Sequence, residues 1–179
     1  MKLCGIDEAG RGPLAGPLVF AGVVLSKPID GLADSKKLSQ KKREFFYEEI
    51  IQNSIYKIIF TNSAKIDKDG LSSCISNSLE ELKEFFLDYD ILFDGNSNYK
   101  VEGIRTLIKA DTLIAEVSAA SILAKVSRDR YMTKVDDSYP EYGFAKHKGY
   151  GTKMHRDAIL KYGVCPLHRM SFLKNILVL

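Results

Sequence analysis

Four acidic residues stand where an acid is costly. Asp7 and Glu8 close the apolar run that begins at Lys2, Asp94 follows Ile91-Leu92-Phe93, and Asp111 follows the largely apolar stretch from Ile104. Strand ends and helix starts along one sheet edge are where α/β proteins assemble their sites. Gathered carboxylates repel one another and tend to hold their protons; a divalent cation removes that conflict. An all-oxygen donor set selects a hard ion, Mg²⁺ or Mn²⁺, over zinc. Two such ions roughly 4 Å apart can activate a water and stabilise the leaving oxygen of a phosphodiester. Taken singly, each acid also has an ordinary role: Asp111 as a helix cap, Asp94-Gly95-Asn96 as a turn, Asp7 and Glu8 as exposed acids at a strand end. Joint placement favours a metal site, and spacing alone does not name the reaction. Successive strand residues point to opposite faces. Asp7 and Glu8 can therefore share a site only if the chain twists sharply after Asp7, for which Ala9-Gly10-Arg11-Gly12 is suited.

Other chemistries find no support. Gly10-x-Gly12 lacks the spacing of a dinucleotide-binding turn, and no Gly-Lys-Ser/Thr follows it. His147, His155 and His168 do not have zinc-ligand spacing. There is no G-x-S-x-G nucleophile elbow.

The elements that must position the acids are legible as hydrophobic patterns. Lys2–Asp7 reads as a strand entering a glycine-rich turn over residues 10–17. Leu18–Leu25 is nearly continuous and apolar, as in a strand covered on both faces. Asp34-Ser35-Lys36-Lys37 is a polar loop. Ser39 is the N-cap of a helix that runs to about Asn53. Ile55–Thr61, Asp90–Asp94 and Ile104–Ile108 read as further strands, and Gly70–Leu87 as an amphipathic helix. Asp111 opens a long helix to about Asp136, whose first half is rich in small residues and can lie close to a sheet. Tyr139-Pro140 breaks it, and a helix over Thr152–Tyr162 stops at Gly163. The expected fold is α/β: a mixed sheet with helices on both faces. It forms one domain, with a catalytic core over 1–136 and a small helical extension over 137–179.

The chain has 179 residues, 45% apolar and 27% charged, enough to bury a core without disulfides. Its three cysteines, Cys4, Cys74 and Cys165, form no C-x-x-C pair, so reduced thiols are expected. No signal peptide is recognisable, and the apolar run Leu14–Leu25 is too short to span a bilayer. A soluble cytoplasmic protein is expected. The net charge is +3, but residues 143–179 alone carry seven Lys or Arg against one Asp, +6, leaving −3 on the rest. A basic segment beside an acidic body suits a phosphate-backbone ligand, or is simply a solvated basic surface.

The motifs together resemble those of the ribonuclease HII family. The opening Gly5-Ile6-Asp7-Glu8-Ala9-Gly10-Arg11-Gly12-Pro13-Leu14-Ala15-Gly16-Pro17 is similar to that family's first signature, and Asp34-Ser35-Lys36-Lys37-Leu38 to its second. Phe93-Asp94-Gly95 and Lys109-Ala110-Asp111 resemble the segments that carry its third and fourth acids. Ala119–Asp129 resembles its long helix and His147–Thr152 its late Gly-Tyr-Gly segment. These occur in order over most of the chain. The resemblance implies a ribonuclease H-like fold with a C-terminal helical extension. It implies hydrolysis of the RNA strand of RNA–DNA hybrids, and incision 5′ to a single ribonucleotide in duplex DNA, leaving 3′-hydroxyl and 5′-phosphate ends. On it, Asp7, Glu8, Asp94 and Asp111 are the catalytic acids and hold two Mn²⁺ or Mg²⁺ ions. Gly10, Arg11 and Gly12 meet the ribose 2′-hydroxyl, and the junction-sensing tyrosine falls on Tyr150 or on nearby Tyr142. Lys36 and Lys148 are candidate phosphate contacts. A monomer is expected, and no sliding-clamp docking peptide is recognisable. A related resolving or strand-transfer nuclease would share the acids but not the 2′-hydroxyl reader; a non-catalytic binding module would need neither.

Overall fold

The computed structural model describes residues 2–32 and 38–177. A five-stranded mixed sheet has the order β3-β2-β1-β4-β5, with β1 at Leu3–Ala9, β2 at Leu18–Leu25, β3 at Ser54–Thr61, β4 at Asp90–Asp94 and β5 at Ile104–Leu107. β1, β2 and β3 pair antiparallel, whereas β1–β4 and β4–β5 are parallel. The unbroken apolar pattern of β2 is explained by cover on both faces. Leu18, Phe20 and Val24 pack under α3 (Leu71–Phe85) with Ile75, Leu79, Leu82 and Phe86. Val19, Ala21 and Val23 pack under α4 (Ala115–Asp136) with Ala119, Ala120 and Leu123.

The small residues of α4 do what their size suggests. Ala119, Ala120 and Ala124 are fully buried, and the helix backbone lies directly on β1. A Cβ built on Gly5 would meet the carbonyl carbon of Glu116 at 2.3 Å, so only glycine admits this approach. α4 thereby runs close past Asp7, one residue from Ile6 in the same strand.

Helix α1 (Gln40–Gln52) starts at Ser39, whose side chain accepts from the Lys42 N–H, and ends at Asn53, as its pattern predicts. One expectation is corrected and one helix was not foreseen. The long helix does not open at Asp111: residues Ala110–Thr112 form a separate 3₁₀ turn, and α4 begins at Ala115 with Ile114 at its N-cap. Between the turn and α4 the chain passes through Ile114, whose backbone is extended (φ −122°, ψ 122°) and stops a continuous helix from forming. A short helix, α2 (Ser63–Asp69), precedes α3 and was hidden by its polar composition. After α4, α5 (Phe144–His147) and α6 (Lys153–Tyr162) pack with Ala15 and Met132 around Tyr142 and Phe144. Cys4 and Cys74 are buried and all three thiols are free; burial pushes the Cys4 thiol up to about 12. Among the described residues no helix is long and apolar enough to cross a membrane.

Candidate active site

Sheet register places the first two acids. Ile6 of β1 pairs with Phe93 of β4 in parallel, so the next residues, Asp7 and Asp94, lie side by side. Ile6 and Phe93 point into the α3-side core; their successors point to the α4 side. The 3₁₀ turn brings Asp111 in from the head of α4, and the Ala110 N–H donates to Asp94 Oδ1 at 3.0 Å, locking that turn to the end of β4. One carboxylate oxygen from each of Asp7, Asp94 and Asp111 lies within 4.8 Å of the others. Asp7 and Asp111 are buried. Burial first, then the charges of Glu8 and Asp94, raise the Asp7 carboxyl well above its ordinary range, while the Glu8 N–H donates to its Oδ1 at 2.8 Å. Buried oxygens brought together against their mutual repulsion, with no softer ligand among them, fit a hard divalent cation.

Glu8 is placed differently. β1 continues through Glu8 and Ala9, which pair with Phe20 and Val19 of β2. The sharp turn expected after Asp7 comes later, at Gly10 (φ 93°). Glu8 therefore keeps strand alternation and faces the other side of β1. There its Oε1 meets Arg11 Nε at 2.5 Å. Burial raises the Glu8 carboxyl and the Arg11 cation draws it back. Arg11 also lies 5.7 Å from the Tyr99 ring and 6.0 Å from that of Phe93. Glu8 still lines the same cleft as Asp7 and Asp94, together with Gly10, Arg11, Gly12, Lys125 and Tyr150; its volume is about 430 Å³.

The glycine turn has two distinct requirements. Gly10 is demanded by the protein: besides its positive φ, a Cβ there would meet Arg128 Nε at 2.3 Å and the Pro17 carbonyl at 2.6 Å. A Cβ on Gly12 would meet nothing within 4 Å and would project into open space. Of the two candidate tyrosines, Tyr150 is 42% exposed and lines the cleft. Tyr142 is buried against Phe144, ring centroids 5.3 Å apart, and its hydroxyl donates to the Gly163 carbonyl at 3.0 Å. The Lys148 Nζ turns away, donating to Thr133 Oγ1 at 2.9 Å and to the Ala145 carbonyl. Lys36 lies outside the described residues.

Two residues escaped the sequence reading. Arg128 of α4 and Arg169 are fully buried yet face no carboxylate in their hydrogen bonds; both bind backbone carbonyls of the glycine-rich turn. Arg128 donates to Pro17 and Ala15 and its guanidinium lies 5.5 Å from the Tyr150 ring. Burial lowers both guanidinium pKa values, that of Arg169 to about 10. The clue was an arginine inside the small-residue helix and another in a short apolar tail. Arg169 is thus one of the seven C-terminal cations that faces no solvent.

A mixed sheet that sets carboxylates at the ends of two adjacent parallel strands, with a third before the following helix, defines a metal-dependent nuclease of the ribonuclease H fold. A solved ribonuclease HII from Archaeoglobus fulgidus, in complex with PCNA, superposes with a TM-score of 0.83 at 27% identity, covering 95% of this chain and 94% of that one. Ribonuclease H2 from Pyrococcus horikoshii gives 0.73 at 29% identity, covering 98% and 97%. The ribonuclease HII family model matches residues 4–175, and the chain belongs to that family. A ribonuclease HII from Campylobacter hominis is 62% identical, covering 96% of this chain and 94% of the relative; one from a Sulfurovum species is 55% identical, covering 95% and 90%. The protein is accordingly a metal-dependent ribonuclease H that acts on RNA–DNA hybrids.

Proposed function

We propose that this enzyme incises 5′ to a single ribonucleotide embedded in duplex DNA, as well as cutting the RNA strand of hybrids, and leaves 3′-hydroxyl and 5′-phosphate ends. The observation that carries this reading is one cleft lined by Asp7, Asp94, the Gly10-Arg11-Gly12 turn and Tyr150, with the buried Asp111 carboxylate within 4.8 Å of the two aspartates. Asp7, Asp94 and Asp111 would hold the metal, with Glu8 beside them; two Mg²⁺ or Mn²⁺ ions would supply Lewis-acid stabilisation of a phosphodiester and an activated water. The turn follows Glu8 after one residue, Ala9, so whatever it touches lies beside the acids. RNA differs from DNA there by a 2′-hydroxyl that both donates and accepts. Open space at Gly12 leaves room for a sugar to approach the backbone, and the half-exposed ring of Tyr150 offers a packing surface at the far wall. Lys125 also lines the cleft, its Nζ 2.9 Å from Asp129 Oδ1, and would meet a phosphate by leaving that partner. Such an enzyme would remove ribonucleotides from DNA in the cytoplasm. The test is a labelled duplex with one ribonucleotide, incubated with Mg²⁺, with Mn²⁺ and with chelator, and its product ends mapped. Metal-dependent cutting 5′ to the ribonucleotide supports the reading; cutting elsewhere, or none, contradicts it.

A further inference from the structure

We infer that Arg169 is a positioning residue for ribonucleotide selection, setting the orientation of the peptide groups that would meet the 2′-hydroxyl. The inference rests on the reading of the glycine turn given above. Arg169 lies 158 and 159 residues from its main partners, so no local tendency explains the contact. Its fork engages three carbonyls: Nη2 donates to Gly10 at 2.7 Å, Nη1 to Arg11 at 3.0 Å, and Nε and Nη2 to Gly16 at 3.0 and 2.8 Å. Its own N–H donates to Leu14, and Gly16 donates to Leu167, so the tail is laced to the turn by backbone as well.

The consequence follows from the planar trans peptide, in which C=O and N–H point in opposite directions. No peptide bond is cis. The peptide whose carbonyl belongs to Gly10 carries the Arg11 N–H; the one whose carbonyl belongs to Arg11 carries the Gly12 N–H. With both carbonyls held on Arg169, these two N–H groups point away from it, and Arg11 and Gly12 line the cleft. A buried cation is expensive unless its donors are satisfied. Here the carbonyls that satisfy it are those whose opposite ends would read the sugar. A lysine keeps the charge but not the fork, and cannot hold three carbonyls in fixed relative orientation.

The test uses Arg169→Lys and Arg169→Gln, each compared with wild type on two duplexes that carry either a ribose or a 2′-fluoro-2′-deoxyribose at one position. Melting with and without Mn²⁺ runs in parallel. Wild type should prefer the ribose by at least roughly ten-fold, the loss of a paired donor–acceptor group. A variant that remains folded should keep its Mn²⁺-induced melting shift and its KM, lose kcat on the ribose duplex about ten-fold or more, and compress the ribose-to-fluoro ratio towards one. An unchanged ratio, with rates on both duplexes equal to wild type or lowered alike, would overturn the proposal. So would failure of both variants to fold, since Arg169 would then be a core element. A wild-type enzyme with no preference between the duplexes would instead remove the reading of the turn on which the proposal stands.

Discussion

Replacing Asp7 with asparagine should stabilise the metal-free protein while abolishing cleavage. Oxygens of Asp7, Asp94 and Asp111 lie within 4.8 Å of one another. Two full charges at that separation cost about 3.5 kcal/mol at an effective dielectric near 20. If Asp7 instead keeps its proton, holding an ordinary carboxyl neutral at pH 7 costs about 4 kcal/mol. Either route leaves a buried cost that an amide avoids, and the asparagine side chain would keep the oxygen that accepts the Glu8 N–H. After the desolvation of the amide we expect a net gain of about 2 kcal/mol, roughly 4–8 °C in Tm for a chain of this size. The sign with pH is fixed by the raised carboxyl. A group whose folded pKa is raised contributes stability at low pH and loses it as pH rises through that value, so the gap between variant and wild type should widen above about pH 4. The assay is a melt in chelator, then in Mg²⁺ or Mn²⁺. Wild type should gain about 2.7 kcal/mol at a hundred-fold excess over Kd; the variant should gain much less and cut nothing. A metal-free variant that melts below wild type, or an undiminished metal shift, would refute the reasoning.

Tyr150→Ala should reduce cleavage at a single ribonucleotide while the melting temperature stays within a few degrees. Tyr142→Ala should instead cost about 3–5 kcal/mol of stability, because its ring is packed in the extension's core; the reverse pattern would exchange their roles. Lys125 lines the cleft and would exchange Asp129 for a phosphate, so Lys125→Ala should lower the slope of log affinity against log salt by about 0.9, the release expected for one phosphate contact, whereas Lys148, outside the cleft lining, should leave the slope unchanged when replaced by Ala. Binding titrations across a salt series decide both. The His155 imidazole is buried, which lowers its pKa to about 4, and it is hemmed in by His147 and His168, with the Tyr150 carbonyl at 2.9 Å. Tyr142, Cys165, Asp136 and Lys148 are the other titratable or charged groups around this cluster. The unfolded chain takes up that proton near pH 6.5 and the folded chain resists it, so stability should be full above about pH 6.5 and fall by roughly 3 kcal/mol towards pH 4. Denaturant midpoints should show this loss in wild type and a smaller one in His155→Gln; equal losses would exclude His155 as the cause.

Most elements were legible because their patterns are local. Leu18–Leu25 is a nearly continuous apolar run, Ile91–Phe93 a short one between two acids, and Ser39 and Thr152 are caps whose side chains accept from Lys42 and His155. The acids were legible because each interrupts an apolar segment. What the pattern could not supply was direction. That Asp7 and Asp94 point together while Glu8 points away depends on the Ile6–Phe93 register and on where β1 ends. The break between Asp111 and α4 depends on Ile114 adopting an extended backbone, which no residue type there demands. The buried arginines were missed because their partners are carbonyls of a turn more than 110 residues distant for Arg128, and about 158 for Arg169. A cation in the sequence reads as surface charge until the fold shows what covers it.

The central claim is that this cleft reads one hydroxyl beside its acids. Two duplexes identical except for a single 2′-hydroxyl, each incubated with wild-type enzyme and Mn²⁺ or Mg²⁺, test it most directly. We expect a single cut 5′ to the ribonucleotide in one duplex and none in its all-deoxy counterpart. Equal cutting of both would contradict it.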